Sequence, residues 1–189
     1  RPAQSLMHSC AEAQAVLDHA ELICSAAEVN AAIDRVAAEV SARLGDRYPV
    51  VLSVMGGAIV FAGQLLPRLR FPLDLDYIHA TRYRNSTQGH DDIAWKVMPK
   101  EDIRGRVVLV LDDILDEGHT LAAVKDKLLG MGASEFHCAV LAEKDLGVTK
   151  PIRADFVGLT VPDRFVFGCG MDVQGMWRNL PEIYALQED

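Results

Sequence analysis

The chain has few cysteines, and those it has are poorly placed for bonding. Cys10, Cys24, Cys138 and Cys169 stand far apart with no C-x-x-C pair, which excludes a disulfide framework and the usual zinc-binding spacings. No apolar stretch approaches the roughly 18 residues needed to span a bilayer. The N-terminus lacks the charged, apolar and cleavage regions of a signal peptide. Positive charge is also in deficit: 19 Lys and Arg against 27 Asp and Glu leave a net charge of −8. That balance argues against a nucleic-acid-binding surface as the main function. No repeat or low-complexity linker divides the chain. The expectation is a cytoplasmic protein with neither a membrane nor a nucleic acid as partner.

The residues present point to an ordinary globular domain. Half are hydrophobic, and 189 residues suffice for one well-buried domain but are short for two. Cys10–Ala20 and Glu28–Leu44 are alanine-rich with helical spacing; in the second, Val29, Ile33, Val36, Val40 and Leu44 line one face. Val50–Val54 reads as a strand, followed by Met55-Gly56-Gly57 and an apolar helix containing Ile59, Val60, Leu65 and Leu66. Leu73–Ala80 reads as another strand, Thr81–Asp92 as a polar mobile loop and Ile93–Met98 as a return strand with Trp95 packed in it. His137–Ala142 and Phe156–Thr160 supply two more short apolar runs. Alternating strands and helices imply a mainly parallel sheet flanked by helices.

The segment VVLVLDDILDEGHTL, Val107 to Leu121, carries the chemistry. Val107–Leu111 is apolar on both faces, as a buried parallel strand must be. Asp112, Asp113 and Asp116 then fall at or just beyond its carboxyl end, where open α/β sheets place ligands. Gly118 permits close backbone approach, and Thr120 can start the helix carrying Leu121, Val124, Leu128 and Leu129. Backbone N–H groups at a helix start bind anions, while the carboxylates can hold Mg²⁺ or sugar hydroxyls. The paired glycines at 56 and 57 make a second candidate phosphate loop. The net negative charge does not exclude a phosphate substrate, because magnesium can accompany a polyanion and Arg82, Arg84, Lys144 and Arg178 act locally.

Two acids, two apolar residues, Asp, a variable residue, Gly, another variable residue and Thr resemble the phosphoribosyl pyrophosphate motif of type I phosphoribosyltransferases. Lys144 and the stretch from Asp155 to Asp172 resemble the purine-binding half of hypoxanthine-guanine phosphoribosyltransferases. The likeness runs from about Val50 to Tyr184. It implies one α/β domain over residues 1–189 with the type I fold, its small hood contributed by N-terminal residues and about 162–189. It further implies transfer of 5-phosphoribosyl from phosphoribosyl pyrophosphate to N9 of hypoxanthine or guanine, with pyrophosphate released and Mg²⁺ as cofactor. A homodimer or homotetramer is expected by the same resemblance.

The resemblance also assigns roles. Asp112 and Asp113 would hold the ribose hydroxyls, directly or through magnesium, and Asp116 would take the purine proton near N7. The segment Asp116, Glu117, Gly118, His119 and Thr120 would cradle the 5′-phosphate. Met55, Gly56, Gly57, Arg82, Tyr83 and Arg178 would contact pyrophosphate. Lys144 would donate to the purine 6-oxygen, Phe165 would stack on the base, Val166 would meet its edge through the backbone, and Asp172 would be a second metal carboxylate. Trp177 is left open, with packing beside the purine site as one reading.

The chain departs from the family where charge matters. Met55 stands where some members carry lysine, Glu117 replaces a common Thr or Ser, and His119 and Val148 stand where Lys and Arg are frequent. Arg82, Lys150 or Arg178 is expected to compensate. A xanthine-preferring enzyme and a non-catalytic nucleotide-sensing regulator are the alternatives.

Overall fold

The computed structural model describes residues 8–84 and 91–188. Two S-x-x-E sequences open the first two helices. In α1 (Cys10–Asp18) and α2 (Ala26–Leu44), Ser9 and Ser25 each accept the backbone N–H of a glutamate three residues on, and that glutamate reaches back to the cap N–H. Each reciprocal cap satisfies two N–H groups that the helix leaves open. Between them lies β1 (Ala20–Cys24), so the helix expected over Cys10–Ala20 stops two residues early and a strand follows. Only its strand partner, far along the chain, reveals this element.

Six strands form the central sheet in the order β4-β3-β2-β5-β6-β7. They are β2 (Val50–Val54), β3 (Asp74–Arg84), β4 (Asp91–Val97), β5 (Val107–Leu115), β6 (Glu135–Lys144) and β7 (Phe156–Val161). All neighbours run parallel except the β3–β4 pair. Period-two alternation along β5 divides the core. Leu109 and Leu111 pack with α2 and with α3 (Ile59–Leu65), whereas Val108 and Val110 pack with Leu121, Val124 and Leu128 of α4 (His119–Gly130). Helices on both faces explain why the β5 run is apolar throughout its buried part.

Three boundaries near the carboxyl ends of β3 and β5 move as well. Strand β5 continues through Leu115, so Asp112 and Asp113 lie within it and only Asp116 lies beyond. Thr81–Arg84 and Asp91–Asp92 belong to the β3–β4 pair, not to a loop; residues 85–90 of the expected loop lie outside the described residues. The cap of α4 is Gly118 at φ +90°, not Thr120, which falls in the first turn.

A second, antiparallel sheet joins β1 to β9 (Ile183–Leu186) and β8 (Val166–Phe167), in the order β1-β9-β8. Arg164 crosses it, donating to the Glu21 carboxylate at 2.5 Å and to the Leu186 carbonyl at 2.9 Å. Val166, Met171, Ile183 and Ala185 share one apolar core with α2, α3 and β5, which fixes this sheet over one face of the larger one. Cys24, Cys138 and Cys169 are buried free thiols; burial pushes Cys138 and Cys169 up to about 12, so both stay protonated and unreactive. Leu109→Ala, at a fully buried position of the central strand, should cost about 3 kcal/mol. Urea denaturation measures this, and a loss under about 1 kcal/mol would contradict the central place given to β5 in the core.

Candidate active site

A cavity of about 570 Å³ opens at the carboxyl ends of β2, β3 and β5. Its wall is made by Met55-Gly56-Gly57 after β2, His79 to Arg82 on β3, the whole stretch Asp112–Leu121, and Arg178. Sequence reasoning brought most of these together but missed His79 and Thr81. Their signal was weak, because both sit in a strand whose carboxyl end was read as loop.

Close backbone packing sets the floor. A Cβ on Gly57 would collide with the Asp113 carboxylate, and one on Gly170, at φ +96°, would collide with the Gly57 carbonyl. Only glycine fits at 170, and a side chain at 57 would force the Asp113 carboxylate to move. The Met55–Gly56 peptide is cis. The absence of a side chain on Gly170 lets the C-terminal segment press onto the loop after β2, and Arg178 reinforces the contact by donating to the Gly170 carbonyl at 2.6 Å.

Strand alternation sends Asp112 toward the α4 face and Asp113 toward the α3 face. Asp112 accepts the Asp113 N–H at 2.8 Å, and Asp113 accepts that of Ile114 at 2.7 Å. Burial, then the adjacent Asp113 carboxylate, pushes the Asp112 carboxyl well above the usual aspartate range. Hard oxygen donors beside uncompensated negative charge suit a magnesium ion or the hydroxyls of a sugar. Among the described residues no group of three or more His, Cys, Asp or Glu forms a metal cage. Magnesium commonly uses one or two carboxylates and takes its remaining ligands from substrate and water, so the pair fits that mode.

Beyond β5 the loop turns into α4. No side chain caps this helix, so the N–H groups of its first turn remain open to an anion. Glu117 accepts from Arg82 at 3.0 Å and lies 3.7 Å from the His119 ring. Asp116 meets the Lys144 ammonium at 3.1 Å. The register explains that pair: Leu115 lies opposite Glu143 in the parallel β5–β6 ladder, so the next residue of each strand emerges beside the other.

Not every expected residue lines this cavity. Lys144 lines a neighbouring depression of about 490 Å³ formed by 143–153 and Thr160, and is tied to the main site through Asp116. Asp172 is held apart, with one oxygen 3.3 Å from Arg178 and the other accepting the Gly175 N–H at 2.8 Å. Phe165 is half-exposed ahead of β8, and Val166 forms a non-hydrogen-bonded pair with Ala185, flanked by the bond from Leu186 N–H to the Phe165 carbonyl. The backbone polar groups of Val166 therefore point away from β9, toward the open side of an edge strand. Tyr83 pairs with Asp92 through the backbone; its side chain lies outside the described residues. Lys150 does not line this cavity; its ammonium is buried against the Leu115 and Lys144 carbonyls, 3.3 and 2.6 Å away. Trp177 donates its indole N–H to the Ala13 carbonyl, tying the C-terminal segment to α1.

Residues 23–174 match the family described as the phosphoribosyl transferase domain. The chain belongs to the phosphoribosyltransferases. This phosphoribosyltransferase is 31 % identical over 172 residues to the hypoxanthine-guanine phosphoribosyltransferase of Bacillus subtilis (strain 168), covering 90 % of this chain and 94 % of that one. It is 32 % identical over 162 residues to the hypoxanthine-guanine-xanthine phosphoribosyltransferase of Tritrichomonas foetus, covering 85 % and 88 %. A solved structure of a hypoxanthine-guanine-xanthine phosphoribosyltransferase superposes with a TM-score of 0.81 at 30 % identity, covering 90 % of this chain and 99 % of that one. The type I fold of the phosphoribosyltransferases thus accounts for both sheets.

A raised Asp112 has a consequence for stability. A carboxylate whose folded pKa lies above its unfolded value costs stability that grows as pH rises through the unfolded value, is full above the folded value and disappears below both. Asp112→Asn should therefore raise the melting temperature at pH 8, with the gain shrinking toward pH 5. A melting temperature unchanged or lowered at pH 8 would contradict the burial given to this carboxylate.

Proposed function

We propose that the chain transfers the 5-phosphoribosyl group from phosphoribosyl pyrophosphate to N9 of hypoxanthine or guanine, giving IMP or GMP and pyrophosphate in purine salvage. The Asp116–Lys144 pair at the end of β5 and β6 carries the reading. It joins a carboxylate that can accept a purine proton to an ammonium that can only donate, and so favours a 6-oxo group over a 6-amino group. Between them the two groups address N7 and the 6-oxygen of one base.

In this reading the α4 start and the segment from Asp116 to Thr120 receive the 5′-phosphate, and Asp112 with Asp113 orients the ribose hydroxyls. Met55-Gly56-Gly57 and Arg178 face the pyrophosphate, whereas Arg82, expected there from the resemblance, reaches through Glu117 to the α4 start and so addresses the 5′-phosphate. Negative charge from Asp112 and Asp113 stabilises the cationic character that develops on the ribose as the bond to pyrophosphate lengthens. Magnesium, when bound, neutralises the departing pyrophosphate. Asp112 and Asp113 would hold it together with the substrate, and Asp172, now beside Arg178, would be a further carboxylate for it. Phe165 and the free backbone edge of Val166 complete the base site, with the three-stranded sheet as its hood over a single domain. The reading extends to a cytoplasmic homodimer or homotetramer; exposed Leu75 and Tyr77 on β3 offer an apolar face for association.

Xanthine is a second candidate base, supported by the relatives named for all three. Incubation with Mg²⁺, phosphoribosyl pyrophosphate and each purine, with nucleotide and pyrophosphate measured, should show turnover with hypoxanthine and guanine and little with adenine. Inactivity with every 6-oxopurine would sink the enzymatic reading and favour a nucleotide-sensing regulator. Asp116→Asn should lower kcat by about 10²-fold or more with a smaller change in KM. A change confined to KM would remove the proton-transfer role.

A further inference from the structure

We propose that Glu117 is an internal competitor for the phosphate cradle: its carboxylate holds Arg82 across the cleft in the free enzyme, and the 5′-phosphate of the substrate displaces it. The inference rests on the placement of that phosphate at the α4 start. Glu117 sits immediately before Gly118, the residue at φ +90° that caps the helix without a side-chain bond. The Glu117 carboxylate stands beside this helix start without bonding its N–H groups, so it shares the favourable field that an incoming anion would meet there.

The contacts are those a phosphate oxygen would make. One oxygen of Glu117 accepts from the Arg82 guanidinium at 3.0 Å and lies 3.7 Å from the His119 imidazole. Arg82 comes from β3 and Glu117 from the loop after β5, so the pair bridges two walls of the cavity.

Exposure decides which partner moves. The Glu117 side chain is 55 % exposed and that of Arg82 29 %, so Glu117 can swing into water at little cost while Arg82 stays. An ion pair this exposed contributes little and breaks readily. Charge pushes the exchange the same way. Asp113 and Glu117 add negative charge to the cavity wall beside the guanidinium groups of Arg82 and Arg178, and Asp116 is already paired with Lys144. A doubly charged phosphate entering beside Glu117 is repelled until that side chain leaves, and Arg82 then neutralises the phosphate instead. Part of the binding energy of the phosphate is spent on this exchange, which weakens affinity and sets a threshold against small, weakly charged anions.

Calorimetric titration with ribose 5-phosphate, which needs neither metal nor turnover, tests the proposal on wild type, Glu117→Gln and Glu117→Thr. Both variants should bind about three- to tenfold more tightly than wild type. Arg82→Ala should weaken binding more in the Glu117→Gln background than in wild type, because only wild type recovers part of the loss by no longer breaking the pair. Equal or weaker binding in both Glu117 variants overturns the competitor role and makes Glu117 part of the cradle itself. If neither wild type nor the variants bind ribose 5-phosphate and wild type shows no turnover, the phosphoribosyl reading fails as well. Turnover by wild type without a gain in the variants overturns the competitor alone.

Discussion

The site depends on one steric constraint, the absence of any Cβ where the loop after β2 passes between β5 and the C-terminal segment. Gly57 lies against the Asp113 carboxylate, and Gly170 lies against the Gly57 carbonyl. Three distant parts of the chain thus meet in one place, the C-terminal segment against the loop's backbone and the Asp113 carboxylate against the loop. The parallel pairing of β2 with β5, Ser53 opposite Leu111, delivers the loop beside Asp113, and Arg178 locks the third layer through the Gly170 carbonyl. Larger residues would part these layers, and the carboxylates would lose their fixed relation to the loop. Catalytic positioning at the ångström level is worth orders of magnitude in rate. Here the backbone supplies that precision, where a flexible side chain could not.

The same close packing creates an electrostatic cost. Asp112 is buried beside Asp113 and has its carboxyl pushed upward, an arrangement unfavourable for folding on its own. Salt bridges elsewhere are mostly peripheral and exposed, such as Arg104–Asp102 and Arg35–Glu39, and contribute little. Unbalanced charge is therefore concentrated at the cleft, where a ligand carrying cations and hydroxyl donors can offset it. A perturbed acid among neighbouring carboxylates at the carboxyl end of a parallel sheet marks a functional site.

The sequence revealed the site more readily than some elements of the fold. The β5 run, the acids after it and Gly118 were legible because strand burial, charge and chain reversal each leave a local mark. The end of β5 was not, since polarity at Asp112 looks like a strand ending even though its backbone pairs on to Leu115. Thr120 looked like the cap because hydroxyl side chains favour that position, whereas the left-handed turn at Gly118 takes it. Strand β1 escaped notice because Ala20–Cys24 continues an alanine-rich helical segment and gains its identity only from β9, more than 150 residues away. Trp177 was ambiguous for a related reason; its partner is the Ala13 carbonyl, which no local pattern announces. The Arg82–Glu117 bridge escaped for the same reason, because its two ends lie on different strands' outlets.

Register connects these levels. Lys150, almost wholly buried, donates to the Leu115 and Lys144 carbonyls, the last residues of β5 and β6. It satisfies two carbonyls that the ladder leaves open and holds the strand ends together. Asp116 and Lys144 leave that fixed junction as neighbours, and their 3.1 Å contact follows from the β5–β6 alignment. A slip of one residue would turn every side chain of β6 to the opposite face, putting Val140 on the α2 side and separating Lys144 from Asp116. The apolar alternation that buries Leu141 on one face and Val140 on the other thus also sets the spacing of the acid and the ammonium. In this protein the energy that holds the sheet in register is the energy that positions the groups proposed to recognise the base.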